Sequence, residues 1–351
     1  MNSLNSTLPL NTTFVSPPFF FLTGLNNMRH AKYYYVFLSF IFVVSVLGNS
    51  FVMFIIYTER SFHTPKYMAV FNLAVADLGE STALIPNLIA MFLFDSQYIS
   101  FDACMANMFF VFFFTCLQSL SLTLMAYDRL VAICLPLRYH AVITMQAMAV
   151  ILTVVWAYDS VLIILMVALI TRLSFCKSIV VKSYFCRDES IYSLACSDNS
   201  MNHVISRLNV TLFVYIPFLL IVLSYFFIAG ALSKIASWEG RFKAIKTCSA
   251  HLMLVSLHYL PVIGMYITSL TSTFKSEASI MNLSSVKAVT PMLNPIIYVL
   301  NTEEVRVFSK KLLKNKKKKK QNCNRNKKKL KNGTNSYYKT FAFNCITNCD
   351  L

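Results

Sequence analysis

Charge is what this chain of 351 residues lacks. Asp, Glu, Lys and Arg make up 13% of it against 56% hydrophobic residues, and mean hydropathy is +0.57. A soluble domain carries about twice that share of charge, so an ordinary soluble fold is excluded. From Met105 to Ala126 there is no Asp, Glu, Lys, Arg or His at all. As a helix rising about 1.5 Å per residue, that stretch crosses a hydrocarbon core of roughly 30 Å. Three further absences narrow the function. His203, His251 and His258 lack metal-ligand spacing with a paired acid, which argues against a metalloenzyme. No inverted repeat divides the apolar runs, which argues against a transporter. Residues 1–33 show no basic start followed by an apolar core and a small-residue cleavage site, so the first apolar run is expected to serve as the membrane signal.

Seven apolar runs are long enough to span, at about Tyr34–Tyr57, Tyr67–Phe94, Cys104–Cys134, Ala147–Ile170, Leu208–Leu232, Thr247–Leu270 and Asn282–Leu300. In lipid every backbone N–H and C=O needs an internal partner, so such runs are helices. The expected fold is all-α, a seven-transmembrane helix bundle with a short amphipathic helix after the seventh span. The connections at 58–66, 135–146, 233–246 and the tail to residue 320 hold sixteen Lys and Arg, and the opposite set holds eight. The positive side is cytoplasmic, which places the N-terminus outside. The organisation expected is an extracellular tail at 1–33, a seven-transmembrane bundle at 34–301, a membrane-surface helix at 302–314 and a disordered Lys-rich cytoplasmic tail at 315–351. Residues 301–351 alone carry a net charge of +12 of the total +17. The basic balance therefore belongs to a tethered tail that attracts anionic membrane lipids, and nucleic-acid binding is a poor reading of it.

Several residues are costly in lipid and must be used. Asn49 in the first span needs an interhelical hydrogen bond. Asp77 lies near mid-membrane in the second span, and Glu80 follows one turn later on the same side. The third span ends in Asp128-Arg129, read either as interfacial anchors or as a switch that releases Arg129 to a cytoplasmic partner. The fourth carries Trp156 and Asp159, the seventh Lys287. Pro217, Pro261, Pro291 and Pro295 each remove a backbone bond and permit a hinge. Cys104 and the loop cysteines Cys176, Cys186 and Cys196 face outward, where disulfides form, and three pairings are open. Asn5 and Asn11 open glycosylation sequons in the outer tail.

Together these residues resemble a rhodopsin-like G-protein-coupled receptor, and within that class an odorant receptor. Gly48-Asn49, Leu73 to Asp77, Asp128-Arg129, Tyr259-Leu260-Pro261 and Asn294-Pro295 to Tyr298 carry the wider likeness. Met125 to Cys134 resembles the olfactory signature Met-Ala-Tyr-Asp-Arg-Tyr-Val-Ala-Ile-Cys, supported by His63-Thr64-Pro65, Ser224-Tyr225 with Ile228, Lys243 to Leu252, and Pro291 to Tyr298. Leu130 departs from the family's Tyr and Lys66 from its usual Met, and the Lys-rich tail is longer than usual. The resemblance implies disulfides Cys104–Cys186 and Cys176–Cys196. It also implies a small odour molecule bound in the outer half of the bundle by Val111, Phe112, Thr115, Phe213, Tyr259, Ile263, Tyr266 and Lys287, in an apolar pocket. No acid stands at the Val111 turn, which argues against a biogenic amine.

Further expectations follow from the resemblance. Asp77, Gln118 and Asn294 form an ion or water site. Asp128, Arg129, Tyr225, Asn294, Pro295 and Tyr298 are the activation switch, opening a cleft for a stimulatory heterotrimeric G protein of the olfactory type. The location implied is the plasma membrane of olfactory neuron cilia. No cofactor and no catalytic or metal-binding residue is implied. Lys287 has two readings: a structural partner of Asp159, Asp77 or Glu80, or an attractor for an anionic group on the ligand. A Schiff-base role is weak, since Lys287 lies one residue short of the opsin position. The alternatives are a rhodopsin-like receptor for another small endogenous ligand and, in a different class, a membrane transporter.

Overall fold

The computed structural model describes residues 16–23, 31–94, 97–176, 178–234, 237–271, 276–301 and 307. The chain divides into two units, Met1–Ile297 and Tyr298–Leu351. In the second, the described residues are the end of the last helix, Tyr298–Asn301, and Val307. The expected membrane-surface helix at 302–314, the Lys-rich tail, Asn5 and Asn11 otherwise lie outside the described residues.

The spans are α1 (Ala31–Thr58), α2 (Pro65–Leu93), α3 (Phe101–Cys134), α5 (Met145–Thr171), α7 with α8 (Ser200–Val210 and Ile216–Ser233), α9 (Trp238–Thr271) and α10 (Ser276–Asn301). Short helices α4 (Tyr139–Val142) and α6 (Asp188–Tyr192) lie in connections read from sequence as loops. Six of these rods are long and apolar enough to cross a membrane, and α10 is the seventh. The molecule is a multi-pass membrane protein. The caps follow local chemistry: Pro65 opens α2 at a position where its missing N–H costs nothing, Ser100 accepts from Ala103 N at the start of α3, and Thr144 does the same for Ala147 N in α5. The fifth span begins eight residues before its expected start at Leu208, because polar α7 continues it, through a π-helical turn at Thr211–Tyr215.

Helix α3 is the central rod, packed against α2, α5, α8 and α9. Close approach is licensed by small residues. A Cβ on Gly48 would stand 2.8 Å from Pro295 Cγ, so α1 and α10 meet there only because the side chain is absent. Gly79 similarly makes room for the Phe114 ring.

Proline leaves the carbonyl four residues before it without a helical donor, and in lipid that group must be repaid. In three helices a polar side chain from a neighbour does so. Asn49 Nδ2 donates to Pro291 O at 2.9 Å, below Pro295. Thr290 Oγ1 donates to Leu257 O at 3.3 Å, below Pro261. Ser119 Oγ donates to Phe213 O, below Pro217. Because that proton is committed, Tyr259 Oη must donate to Ser119 Oγ, at 2.6 Å, and α3, α8 and α9 share one node.

One end of the bundle is closed by a small sheet absent from the sequence expectations. Strand β1 (Phe19–Leu22) lies between antiparallel β2 (Tyr98–Ser100) and parallel β3 (Val180–Val181), with Phe20 opposite Ile99 and Phe21 opposite both Tyr98 and Val180. Phe20 is fully buried, its ring against Phe101 and Phe175. Disulfides Cys104–Cys186 and Cys176–Cys196, with Cα separations of 5.4 and 5.8 Å, staple the same end. Asn107 Nδ2 donates to Ala83 O while its Oδ1 accepts from Cys186 N, joining α2, α3 and the stapled loop.

Candidate functional site

The site is built inward from the disulfide end. Val111 is buried in a cluster with Leu84, Ile85, Leu88 and the loop residues Tyr184 and Phe185. Phe112 is half-buried beside it, with its ring 6.5 Å from that of Phe185. Phe213 is buried with Cys116 and Ile163, its ring 5.8 Å from Tyr158. Tyr259 is buried, its ring 5.1 Å from Phe218. Ile263 is half-buried one turn further along α9, and Tyr266 lies outside the residues whose side chains are described. The structure thus ties Phe213 to Tyr259 through Ser119, and sets Val111 and Phe112 beneath the stapled loop.

Thr115 and Lys287 are brought together by a residue the sequence offered as one of three partners. Lys287 Nζ stands 2.7 Å from Glu80 Oε1 and 2.9 Å from Thr115 Oγ1. The hydroxyl proton of Thr115 lies between Glu80 Oε1 and Val111 O, each 2.7 Å away. The other carboxylate oxygen, Glu80 Oε2, accepts from Gln118 Nε2 at 2.8 Å, and the same nitrogen is 3.0 Å from Asp77 Oδ1. Asn294 Nδ2 then donates to Asp77 at 2.9–3.1 Å. An unbroken polar chain therefore runs from Lys287 through Glu80, Gln118 and Asp77 to Asn294. It crosses α2, α3 and α10 in an interior where each link is stronger than in water.

Asp77, Gln118 and Asn294, expected as an ion or water site, do meet. The amide nitrogens of Gln118 and Asn294 face the Asp77 carboxylate. The ammonium of Lys287 supplies the positive charge beside Glu80. Among the described residues no group of three or more His, Cys, Asp or Glu is placed to hold a metal ion. Asp159 takes no part: it is fully buried on α5, and neither of its oxygens has a hydrogen-bond partner. On its own helix face it stands between Val155, which packs toward Phe113 and Leu117, and Ile163, which packs with Cys116.

At the opposite end Arg129 is 3.7 Å from Asp128. Tyr139 of α4 donates to Asp128 Oδ1 at 2.7 Å. Burial and the adjacent carboxylate raise the pKa of this phenol, so it stays a protonated donor at neutral pH. Tyr225 is paired with His251. His251 Nε2 faces Leu122 O at 3.0 Å and must donate to it, so Nδ1 accepts from Tyr225 Oη at 2.8 Å. A cavity of about 250 Å³ between α3 and α9 is lined by Arg129, Ala132, Ile133, Gly240, Ala244 and Thr247. Pro295 is placed by its contact with Gly48, and Tyr298 opens the second unit. Tyr139, His251 and Ser119 make contacts for which residue patterns alone assigned no site role: His251 lies within the Lys243–Leu252 motif without an assigned partner, and Leu122, which accepts from His251, and the Ser119 partners Phe213 and Tyr259 lie 94–140 residues away. Leu130 is half-buried, and Lys66 stands over the Tyr67 ring at 4.7 Å.

Two disulfides, six helices long and apolar enough to cross a membrane with α10 beside them, and a buried polar chain ending at Asn294 describe a multi-pass membrane bundle. A family model described as olfactory receptor matches residues 38–316. The chain belongs to the olfactory receptor family. It is 34% identical to olfactory receptor 1E16 of Mus musculus over 306 residues, covering 86% of this chain and 96% of that one. It is 34% identical to olfactory receptor 1F1 of Homo sapiens over 295 residues, covering 84% and 94%. Against olfactory receptor 51E2 of Rattus norvegicus the identity is 35% over 290 residues, covering 82% and 90%. The olfactory receptor described here is a G-protein-coupled receptor and not an enzyme. Its two cysteine bridges agree with the pairing that the resemblance implied.

Proposed function

We propose that this receptor binds a small odour molecule at the disulfide end of the bundle, facing outside, and activates a stimulatory G protein of the olfactory type at the opposite end. The observation that carries the reading is the polar chain from Lys287 to Asn294. It links the residues beneath the stapled loop with the Asn294–Pro295 segment, so a ligand that prefers one arrangement of Lys287 biases the other end. A ligand can shift the balance only by its difference in affinity for the two arrangements. The pocket is lined by Val111, Phe112, Thr115, Phe213, Tyr259, Ile263, Tyr266 and Lys287. Activation separates Arg129 from Asp128, moves the inner end of α9 away from α3 and enlarges the cavity beside Arg129 to admit the G-protein α subunit. Tyr225, Asn294, Pro295 and Tyr298 rearrange with it. Asn5 and Asn11 are glycosylated in the outer tail, 302–314 forms a membrane-surface helix, and the Lys-rich segment at 315–351 lies against anionic inner-leaflet lipid. The cell is an olfactory neuron, and the compartment is its ciliary plasma membrane.

The test is expression with the matching G protein and measurement of cyclic AMP against amino acids, bile acids, aldehydes and amines. An odorant-evoked rise in the parent, lost in Arg129→Ala at equal surface level, supports the reading. Solute flux without a nucleotide response would replace it with the transporter alternative.

A further inference from the structure

The surface left open on the buried ion pair limits the chemistry the pocket accepts. Glu80 is enclosed, with 3% of its side chain accessible, and both oxygens are engaged by Lys287, Thr115 and Gln118. Lys287 is the accessible member, at 17%. Its ammonium reaches from α10 to Glu80 of α2 and Thr115 of α3, inside the bundle. An ammonium has three N–H donors. Two are used here, on Glu80 Oε1 and Thr115 Oγ1, and among the described residues the third has no partner.

The charge count decides what that donor takes. The cluster holds one ammonium and two carboxyl groups bridged by Gln118. With Glu80 ionised against Lys287 the net charge is zero, and with Asp77 ionised as well it is −1. In neither state is it positive. A carboxylate arriving from the pocket meets a neutral or negative cluster, and it could take the ammonium fully only by stripping Glu80 of its partner, which leaves a buried charge unpaired. An incoming ammonium meets the cationic face of Lys287. A carbonyl oxygen accepts the third N–H without adding charge or breaking a bond already made.

Resting on the odorant-receptor reading above, we infer that the Glu80–Lys287–Thr115 cluster selects neutral ligands with a hydrogen-bond-accepting oxygen, carbonyl compounds such as aldehydes, ketones or esters, and discriminates against carboxylic acids and amines. The carbonyl docks on Lys287 and the hydrocarbon chain lies toward Val111 and Phe112. The pair is thus a neutralised donor, and Glu80 is the specificity-determining residue.

The experiment is a cyclic AMP dose series with straight-chain compounds of matched length, each ending in an aldehyde, methyl ketone, methyl ester, carboxylic acid or amine. The parent should respond to the carbonyl compounds at concentrations at least about tenfold below the acid. Glu80→Gln leaves Lys287 uncompensated and should move the ratio toward the acid by about tenfold or more. The double variant Glu80→Gln/Lys287→Met leaves the cluster's net charge as it was but removes the donor, and should weaken carbonyl responses about ten- to a hundredfold at equal surface staining. An acid or amine more potent than the carbonyl compounds on the parent would overturn the inference and leave the receptor reading standing; this comparison needs no variant to fold. An unchanged ratio in a surface-expressed Glu80→Gln would also overturn it. Silence of the surface-expressed parent toward the whole series would sink the odorant-receptor reading as well.

Discussion

Tyr139→Phe isolates the contact that, in the activation scheme proposed above, holds the Asp128–Arg129 end at rest. The substitution deletes one hydroxyl and keeps the ring, so the edge contact with His140 is retained. What is lost is the donor to Asp128 Oδ1 at 2.7 Å. Among the described residues Asp128 then keeps only the longer 3.7 Å approach of Arg129, in a side chain that is 3% accessible. A hydrogen bond to a charged group contributes about 1.5–3 kcal/mol net, and Tyr139 is only half-buried, so the lower end applies. About 1.4 kcal/mol is a tenfold change in an equilibrium constant. A receptor that is active about 1% of the time would become active about 10% of the time, provided the bond exists only at rest. The assay is basal cyclic AMP without ligand, with parent and variant matched by surface staining. Basal output within about twofold of the parent would refute the idea that Tyr139 restrains the switch. Because the phenol pKa is raised, its proton is present at and above neutral pH, and the parent's restraint should not weaken as the medium is taken from pH 7 to pH 8.

Other consequences are equally open to measurement. Asn49→Ala uncovers the Pro291 carbonyl inside the bundle and should cost about 1–3 kcal/mol, read as a lower melting temperature in detergent. Gly48→Val drives a side chain into Pro295 and should destabilise by a similar amount, about 1–3 kcal/mol by overpacking, while Gly48→Ala is the milder member of the pair. Asp159→Leu removes a buried carboxyl group whose oxygens lack partners, and the melting temperature should rise; a fall would show that Asp159 holds something that stabilises the receptor. Ser119→Ala breaks the node shared by Phe213 and Tyr259, so it should lower stability and alter ligand potency together, whereas Thr290→Val, at the longer 3.3 Å bond, should do less.

A reading of residues alone reaches far here, for a reason tied to the solvent. Lipid offers no hydrogen bonds, so a run of twenty apolar residues is a helix whatever its neighbours do. Asn49, Asp77 and Lys287 stand out for the same reason: each is too costly in lipid to lack a partner. The two disulfides followed from likeness to the olfactory family, since spacing left three pairings open.

Partner choice is where the one-dimensional record stops. Lys287 had three candidate acids, and only the arrangement of α2, α3 and α10 puts Glu80 at 2.7 Å while leaving Asp159 without a hydrogen-bond partner. The side chains that repay the proline-freed carbonyls lie between 33 and 242 residues away along the chain, so nothing local announces them. Phe19–Leu22 is a strand only because β2 and β3 stand on either side to take up its backbone groups. Composition and periodicity decide that a segment leaves water and what form it takes there. Which buried polar group meets which is a property of helix rotation and register, and packing alone settles it.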